Sequence, residues 1–534
     1  MNFGDKKRKQ VLAVAVCIIF AGFVFRLWVV SWPLEKQIGT FVADDAFYYS
    51  EIARNILAGN GPTFDGEIAT NGFHPLWMVF CVGFQAVAGP DPESVLRLML
   101  VFCAILSFIC ALLLLELCRR FVVPESTWGL WLVSLYCAAN PFVIFTELMG
   151  VEGPLALAAV LAAVLAFEHW KKNPSAATLV ITGIFAGLAF LARTDAGLFG
   201  LILAAAILFR AENDNPGGML KAKRLLSFGL PAAAVAAPWL IWNLFRFGTI
   251  WQDSGRVLFY RTHSMIPNGD LALAATLKEL FVGGFYNYFL RLIGGINLPI
   301  TTIILGFGGG FVLCALILRR RPTGKSPWTL YAFAFTSWIF YIFYFQQQKF
   351  WYFLVLTASF AILAARLGAY LEEVFRNKGK WPHYANFIFA LVMIFLFIPT
   401  TQMVMKNGYH AWQKTYLRAA RDIQSGQIEG LDNSGAIGAF NAGIYGAFSG
   451  RRVVNLDGVV NPHIIEAMRA KRFVQYLREA GVRVIVDHQK LIATYSTWSQ
   501  PGFSENFELI KRYKTSPFAG DVLVLRLKDV GSLP

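Results

Sequence analysis

Long apolar runs separated by short basic clusters dominate the first three quarters of the chain. A bilayer core takes about 20 helical residues to cross. Eleven runs approach or exceed that length, at about 11–31, 95–117, 128–147, 152–169, 177–192, 196–210, 225–245, 296–318, 328–345, 350–370 and 385–402. With these as spans, the Lys/Arg clusters at 6–9, 119–120, 171–172, 221–224, 319–321 and 376–380 all fall on one side. Basic loops stay cytoplasmic, so the pattern predicts a cytoplasmic N-terminus and a tail outside. The stretch from Pro75 to Ala88 is apolar but has only 14 residues. Counting it as a span would put every later cluster on the wrong side, so it is read as interfacial or re-entrant at the outer surface.

Beyond about residue 405 the pattern changes. Short apolar runs at Ala436–Phe440, Val453–Leu456, Val482–Val486 and Asp521–Leu527 alternate with polar segments, and 464–480 has helical spacing. That predicts a small α/β domain. The expected fold is therefore a polytopic α-helical membrane protein (residues 1–404, about eleven spans) with a soluble, extracytoplasmic α/β domain (405–534). Two outer loops, from Trp32 to about Ser94 and from about Arg246 to Ile296, complete the outside.

Composition agrees: 56% of the 534 residues are hydrophobic and 15% charged, far from a soluble enzyme. The net charge of +15 is scattered among membrane loops. It suits positive-inside topology and contact with membrane lipid, not nucleic acid. The seven Cys lie in or beside apolar runs, so they read as small buried hydrophobes with neither a disulfide framework nor zinc spacing. Lys6-Lys7-Arg8-Lys9 and the run Val11–Val30 lack a small-residue cleavage site, which predicts an uncleaved first helix.

The unusual polar residues gather outside. Asp44-Asp45-Ala46-Phe47-Tyr48-Tyr49 follows the first span. From Asp44 to Leu57, Ala46, Tyr49, Ala53 and Ile56 share one helical face and Glu51, Arg54 and Asn55 mark the other, until Gly59-Asn60-Gly61-Pro62 ends the pattern. This predicts an amphipathic helix along the membrane, with Phe47, Tyr48, Tyr49, Phe73 and Trp77 as an interface belt. Adjacent carboxylates point about 100° apart on a helix, so only one faces a given reactive atom. Two readings remain open for the pair: a helix N-cap with a supporting acid, or a catalytic carboxylate.

The run DDAFYY…AR…G.G..FDG…TNG.HPLW resembles the first outer loop of the GT-C superfamily, the integral-membrane glycosyltransferases that use polyprenyl-phosphate-linked sugars, and more closely its bacterial members. Weaker similarities follow at Gly150-Val151-Glu152, Ala192-Arg193-Thr194-Asp195, Phe440-Asn441-Ala442-Gly443 and Asn455-Leu456-Asp457-Gly458. The resemblance implies an enzyme of the cytoplasmic (inner) membrane. It would transfer a sugar from a polyprenyl-phosphate donor to a glycan, lipid or protein acceptor of the cell envelope in one inverting displacement. It makes Asp44 the general base and Asp45 the supporting acid. Arg54, His74, Glu152, Arg193, Asp195, Lys349 and Tyr352 become candidate substrate contacts, with Arg256 and Arg261 as further cations for the leaving phosphate.

Each candidate also has an ordinary reading. His74 suits a polar interface, and Glu152 complements a helix N-terminus. Asp195 pairs with Arg193 in a loop, Lys349 snorkels, and Asp457-Gly458 makes a turn. Asp44, Asp45, Glu152 and Asp195 form an oxygen-rich set for a divalent cation (Mg, Mn or Ca), but no Asp-x-Asp is present and no metal ligand is assigned. Two other functions compete: a transporter or flippase of a lipid-linked glycan, and a non-catalytic scaffold of envelope assembly. Transport is disfavoured because the acids lie at span ends rather than mid-membrane.

Overall fold

The structure is a computed structural model that describes residues 3–210, 218–265, 326–345, 349–431, 435–499, 503–515 and 520–528. The expected span at 296–318, most of the second outer loop, the basic cluster at 319–321 and Cys314 lie outside the described residues.

Six described helices are long and apolar enough to cross a bilayer: Lys6–Val30, Pro92–Val122, Gly153–Lys172, Gly218–Phe247, Phe350–Val374 and Trp381–Asn407. A seventh span results if Thr127–Ala139 and Pro141–Glu147 count as one, bent by 54°. The bend has a local cause. The Asn140 side chain caps the second piece by accepting from Phe142 and Val143 N–H, and Pro141 occupies its first position, where no amide is needed. The expected spans at 177–192 and 196–210 are shorter apolar helices, Ala176–Ala192 and Thr194–Leu208; Pro75–Ala88 is a third.

Gly218–Phe247 and Trp381–Asn407 keep most of their apolar surface on the outside, with Phe245, Phe395 and Ile241 exposed. Such surface is costly in water and ordinary against lipid chains. Helices inside approach through small residues. A Cβ on Gly183 would lie 2.1 Å from the Phe228 carbonyl oxygen, so Ala176–Ala192 and Gly218–Phe247 touch backbone to backbone. Arg26 on the first helix pairs with Glu147 at 3.1 Å, both buried, and Ser107 donates to the same carboxylate. A charge that deep must be paired, and this pair ties the first helix to the bent one.

The C-terminal region is a five-stranded sheet of order β2-β1-β3-β5-β4, with β1 Ala436–Ala439, β2 Val453–Asn455, β3 Val482–His488, β4 Phe507–Tyr513 and β5 Val522–Leu527. The first three strands are parallel and the last two antiparallel to their neighbours. Four of the five coincide with the apolar runs of the sequence. β4 escapes that reading because Glu508, Lys511 and Arg512 interrupt it. The helical stretch near 464–480 is two helices, His463–Arg469 and Phe473–Glu479, broken at Lys471 with φ of 55°. These helices cover one face of the sheet, where Val454, Ile464, Leu477 and Ile485 pack together. The other face, through Ile437, Val484, Val486 and Val524, shares one continuous core with Phe41, Phe47, Ile52 and Phe64 of the first outer loop. The sheet is thus packed onto that loop.

Candidate functional site

The loop after the first span carries the helix Asp45–Leu57, with Asp44 at its N-cap position. Most of both expected faces is covered. Glu51 and Asn55, expected on the polar side, are buried, and only Arg54 there is open. The sheet region covers that side, and the Asn55 amide donates to the Thr63 and Phe64 carbonyls at 3.0 Å. Phe47, Tyr48, Tyr49, Phe73 and Trp77 are all buried as well. They are interior packing rather than an interface belt. The period in the sequence is helical; the cover comes from the following turns for Asn55, from Glu152 for Tyr49 and from the helix Gly443–Phe448 for Glu51.

The two aspartates part company here. Asp44 is 6% exposed and makes no side-chain bond to its own helix. Its carboxylate accepts instead from Gly443 N–H at 3.0 Å and Ile444 N–H at 2.8 Å, the first residues of the helix Gly443–Phe448. Burial pushes its pKa up to about 7, against the pull of those two amides; the Asp45 charge adds to the rise. Asp45 has a side chain 38% exposed, and its Oδ1 lies 3.9 Å from Lys349 Nζ, itself 40% exposed. Removal from bulk water raises the Asp45 pKa; Lys349 opposes the rise, and Asp457 and Glu152 add to it. An ion pair this open is worth about 0–1 kcal/mol, so an incoming ligand separates it easily.

Behind this pair lies a buried polar network. Glu152, at the N-cap of Gly153–Lys172, accepts from Tyr49 Oη at 2.9 Å and from Arg193, with His74 Nε2 at 3.6 Å. Arg193 also donates through Nε to Asp195 at 3.1 Å and through Nη2 to Tyr341 Oη at 2.9 Å. Tyr341 in turn donates to Asp195 at 2.6 Å. The guanidinium sits 4.6 Å from the Tyr352 ring centre, and Tyr352 stacks on Tyr341. The structure thus brings His74, Glu152, Arg193, Asp195 and Tyr352 together. Burial lowers the His74 pKa, with Glu152 working against the shift. Two candidates lie elsewhere: Arg54 pairs with Glu51, and Arg256 pairs with Asp253 at 3.3 Å. Asp457 does make the expected turn, accepting from Val459 N–H at 3.0 Å. Tyr341 was missed because a tyrosine within an apolar run carries no sequence signal of its own.

A narrow cleft adjoins the network, lined by Arg193, Trp351 and Tyr352 and by the apolar Leu157, Phe333 and Val355. No group of three or more His, Cys, Asp or Glu among the described residues is arranged to hold a metal ion. The oxygen-rich set does not converge. Asp44 accepts from tail amides, and Glu152 and Asp195 turn their oxygens to the shared Arg193 guanidinium. The described residues do not fit a divalent-cation site.

Residues 81–242 match the family of dolichyl-phosphate-mannose-protein mannosyltransferases, and residues 407–525 match a domain of unknown function, DUF8728. No curated protein matches the chain. Among solved structures, the fold is similar to the archaeal oligosaccharyltransferase AglB from Archaeoglobus fulgidus, solved with an inhibitory peptide and a dolichol-phosphate. The identity is 14%, coverage is 99% of this chain and 75% of that one, and the TM-score is 0.54. ArnT from Cupriavidus metallidurans, bound to undecaprenyl phosphate, is similar at 13% identity, 96% and 98% coverage and a TM-score of 0.56.

Proposed function

We propose, from the chain's place in the GT-C superfamily and from its open Asp45–Lys349 pair, that it transfers a sugar from a polyprenyl-phosphate donor to an envelope acceptor. The pair is the observation that carries the reading: a partly open carboxylate, with raised pKa, faces Lys349, whose ammonium lies 5.3 Å from the ring centre of Trp351, a residue lining the cleft. A raised pKa makes the carboxylate a stronger base than a free aspartate, as general-base work requires. Asp45 takes the proton of the acceptor hydroxyl, and the acceptor oxygen bonds to the anomeric carbon. The bond from that carbon to the phosphate oxygen breaks, and the phosphate leaves with the electron pair towards Lys349. One displacement inverts the anomeric centre. The family resemblance implied Asp44 as the base; with its carboxylate bonded to the Gly443 and Ile444 amides, we assign the role to Asp45 instead.

The Arg193 network supports this site without meeting the phosphate directly, because its donors are occupied by Glu152, Asp195 and Tyr341. Tyr352 and the apolar cleft walls suit the head of a prenyl chain. We place the site and the sheet region outside the cytoplasmic membrane, with eleven spans in all, on the strength of the basic clusters.

The test is incubation of the purified full-length chain with undecaprenyl- and dolichyl-phosphate-linked radiolabelled hexoses and pentoses plus envelope fractions. Label moving into an acceptor supports the reading, and Asp45→Asn should abolish it. Transport of intact lipid across vesicles without label transfer would replace it with a flippase. Absence of both would leave a scaffold.

A further inference from the structure

Asp45 sits between two residues that are held by the sheet region. One position before it, Asp44 accepts from the Gly443 and Ile444 amides. Three positions after it, Tyr48 Oη accepts from Ala442 N–H at 2.8 Å and from Asn455 Nδ2 at 3.2 Å. Asp44 already has helical dihedrals, φ −53° and ψ −34°, so its orientation passes rigidly into Asp45. The anchoring loop is itself fixed. Asp487 accepts from the amides of Phe440 and Asn441 at 2.8 Å and from Tyr416 Oη at 2.7 Å. The approach leaves no slack, since a Cβ on Gly443 would lie 2.2 Å from the Asp44 carbonyl oxygen.

Resting on the proposed base role of Asp45, we infer that Asp44 and Tyr48 are positioning residues through which the C-terminal sheet region sets the aim of the catalytic carboxylate. The region of unassigned function is then a working part of the transfer site. Displacing a base by about 1 Å costs roughly 100-fold in rate, while binding of the donor, whose prenyl chain lies in the cleft, is left alone.

The experiment is steady-state transfer by the full-length chain from the lipid-phosphate sugar that the wild type turns over. Gly443→Ala wedges the contact from the sheet side without touching a charge, and Asp44→Ala removes the cap. Both should lower kcat by roughly 10–100-fold with donor KM within about twofold. Asp44→Asn, which keeps one acceptor oxygen, should restore most of the loss. Tyr48→Phe, the mildest change and the safeguard against misfolding, should lower kcat several-fold. Wild-type kcat in Gly443→Ala or Tyr48→Phe, or a change confined to KM, overturns the inference. Asp45→Asn separates the two layers. If it keeps wild-type kcat, the base assignment falls and positioning with it; if it is inactive while the clamp variants are not, only positioning falls.

Discussion

The buried Asp44 carboxyl makes the packing of the sheet region sensitive to pH, with a sign that the structure dictates. Its pKa rises from the ordinary 3.8 to about 7 on folding, so the folded state holds the proton more tightly than the unfolded one. The stabilisation is fully present below about pH 4 and is lost as pH climbs towards 7. The rise corresponds to about 4 kcal/mol between the neutral and ionised forms, of which about 3 kcal/mol falls between pH 5 and pH 8. Asp44→Asn cannot titrate. It forfeits one of two amide bonds, about 1–2 kcal/mol, at every pH, but escapes the cost of burying a charge at high pH. The variant should therefore melt slightly below wild type at pH 5 and above it at pH 8. Glu51, raised to about 7, titrates in both proteins and cancels in the comparison, whereas the Asp45 and Asp487 charges contribute to the Asp44 rise and that contribution is lost in the variant. The assay is thermal melting by intrinsic fluorescence in detergent, four samples in all. An equal offset at both pH values, or a variant that loses ground at pH 8, would refute the assignment of a neutral buried carboxyl.

Asp45→Asn should reduce transfer by about 100-fold or more, and Lys349→Met should mainly slow departure of the phosphate, seen as lower kcat with poorer leaving groups. Because the base must be ionised and its pKa is raised, wild-type activity should fall on the acid side at a pH above the usual carboxylate range, read from a kcat/KM profile. Arg193→Gln strands Glu152 and Asp195 without their cation and should cost about 3–5 kcal/mol, visible as loss of monodisperse protein; the triple change with Glu152→Gln and Asp195→Asn should recover much of it. Gly183→Val forces a side chain into the Phe228 carbonyl and should lower the melting temperature by several degrees, whereas Gly200→Val, where a Cβ meets nothing, should not.

What the sequence determined by itself was everything governed by periodicity, length and charge. Apolar runs long enough for a bilayer marked the membrane helices, and short apolar runs marked four strands of the terminal sheet. An acid pair beside aromatic and Gly-rich turns located the outer loop where the polar residues collect. Periodicity carries no information on what covers a helix face. Glu51 and Asn55 therefore looked solvated, although Gly446, four hundred residues later, packs on Glu51, and the turns at Thr63 and Phe64 take up Asn55. Nor does adjacency say which of two aspartates stays open. Asp44 behaves as the N-cap its residue type favours, but on the helix Gly443–Phe448 rather than its own, and that leaves Asp45 facing Lys349. Only the tertiary structure decides this, because hydrogen-bond partners and desolvation depend on which distant segment folds against the carboxylate.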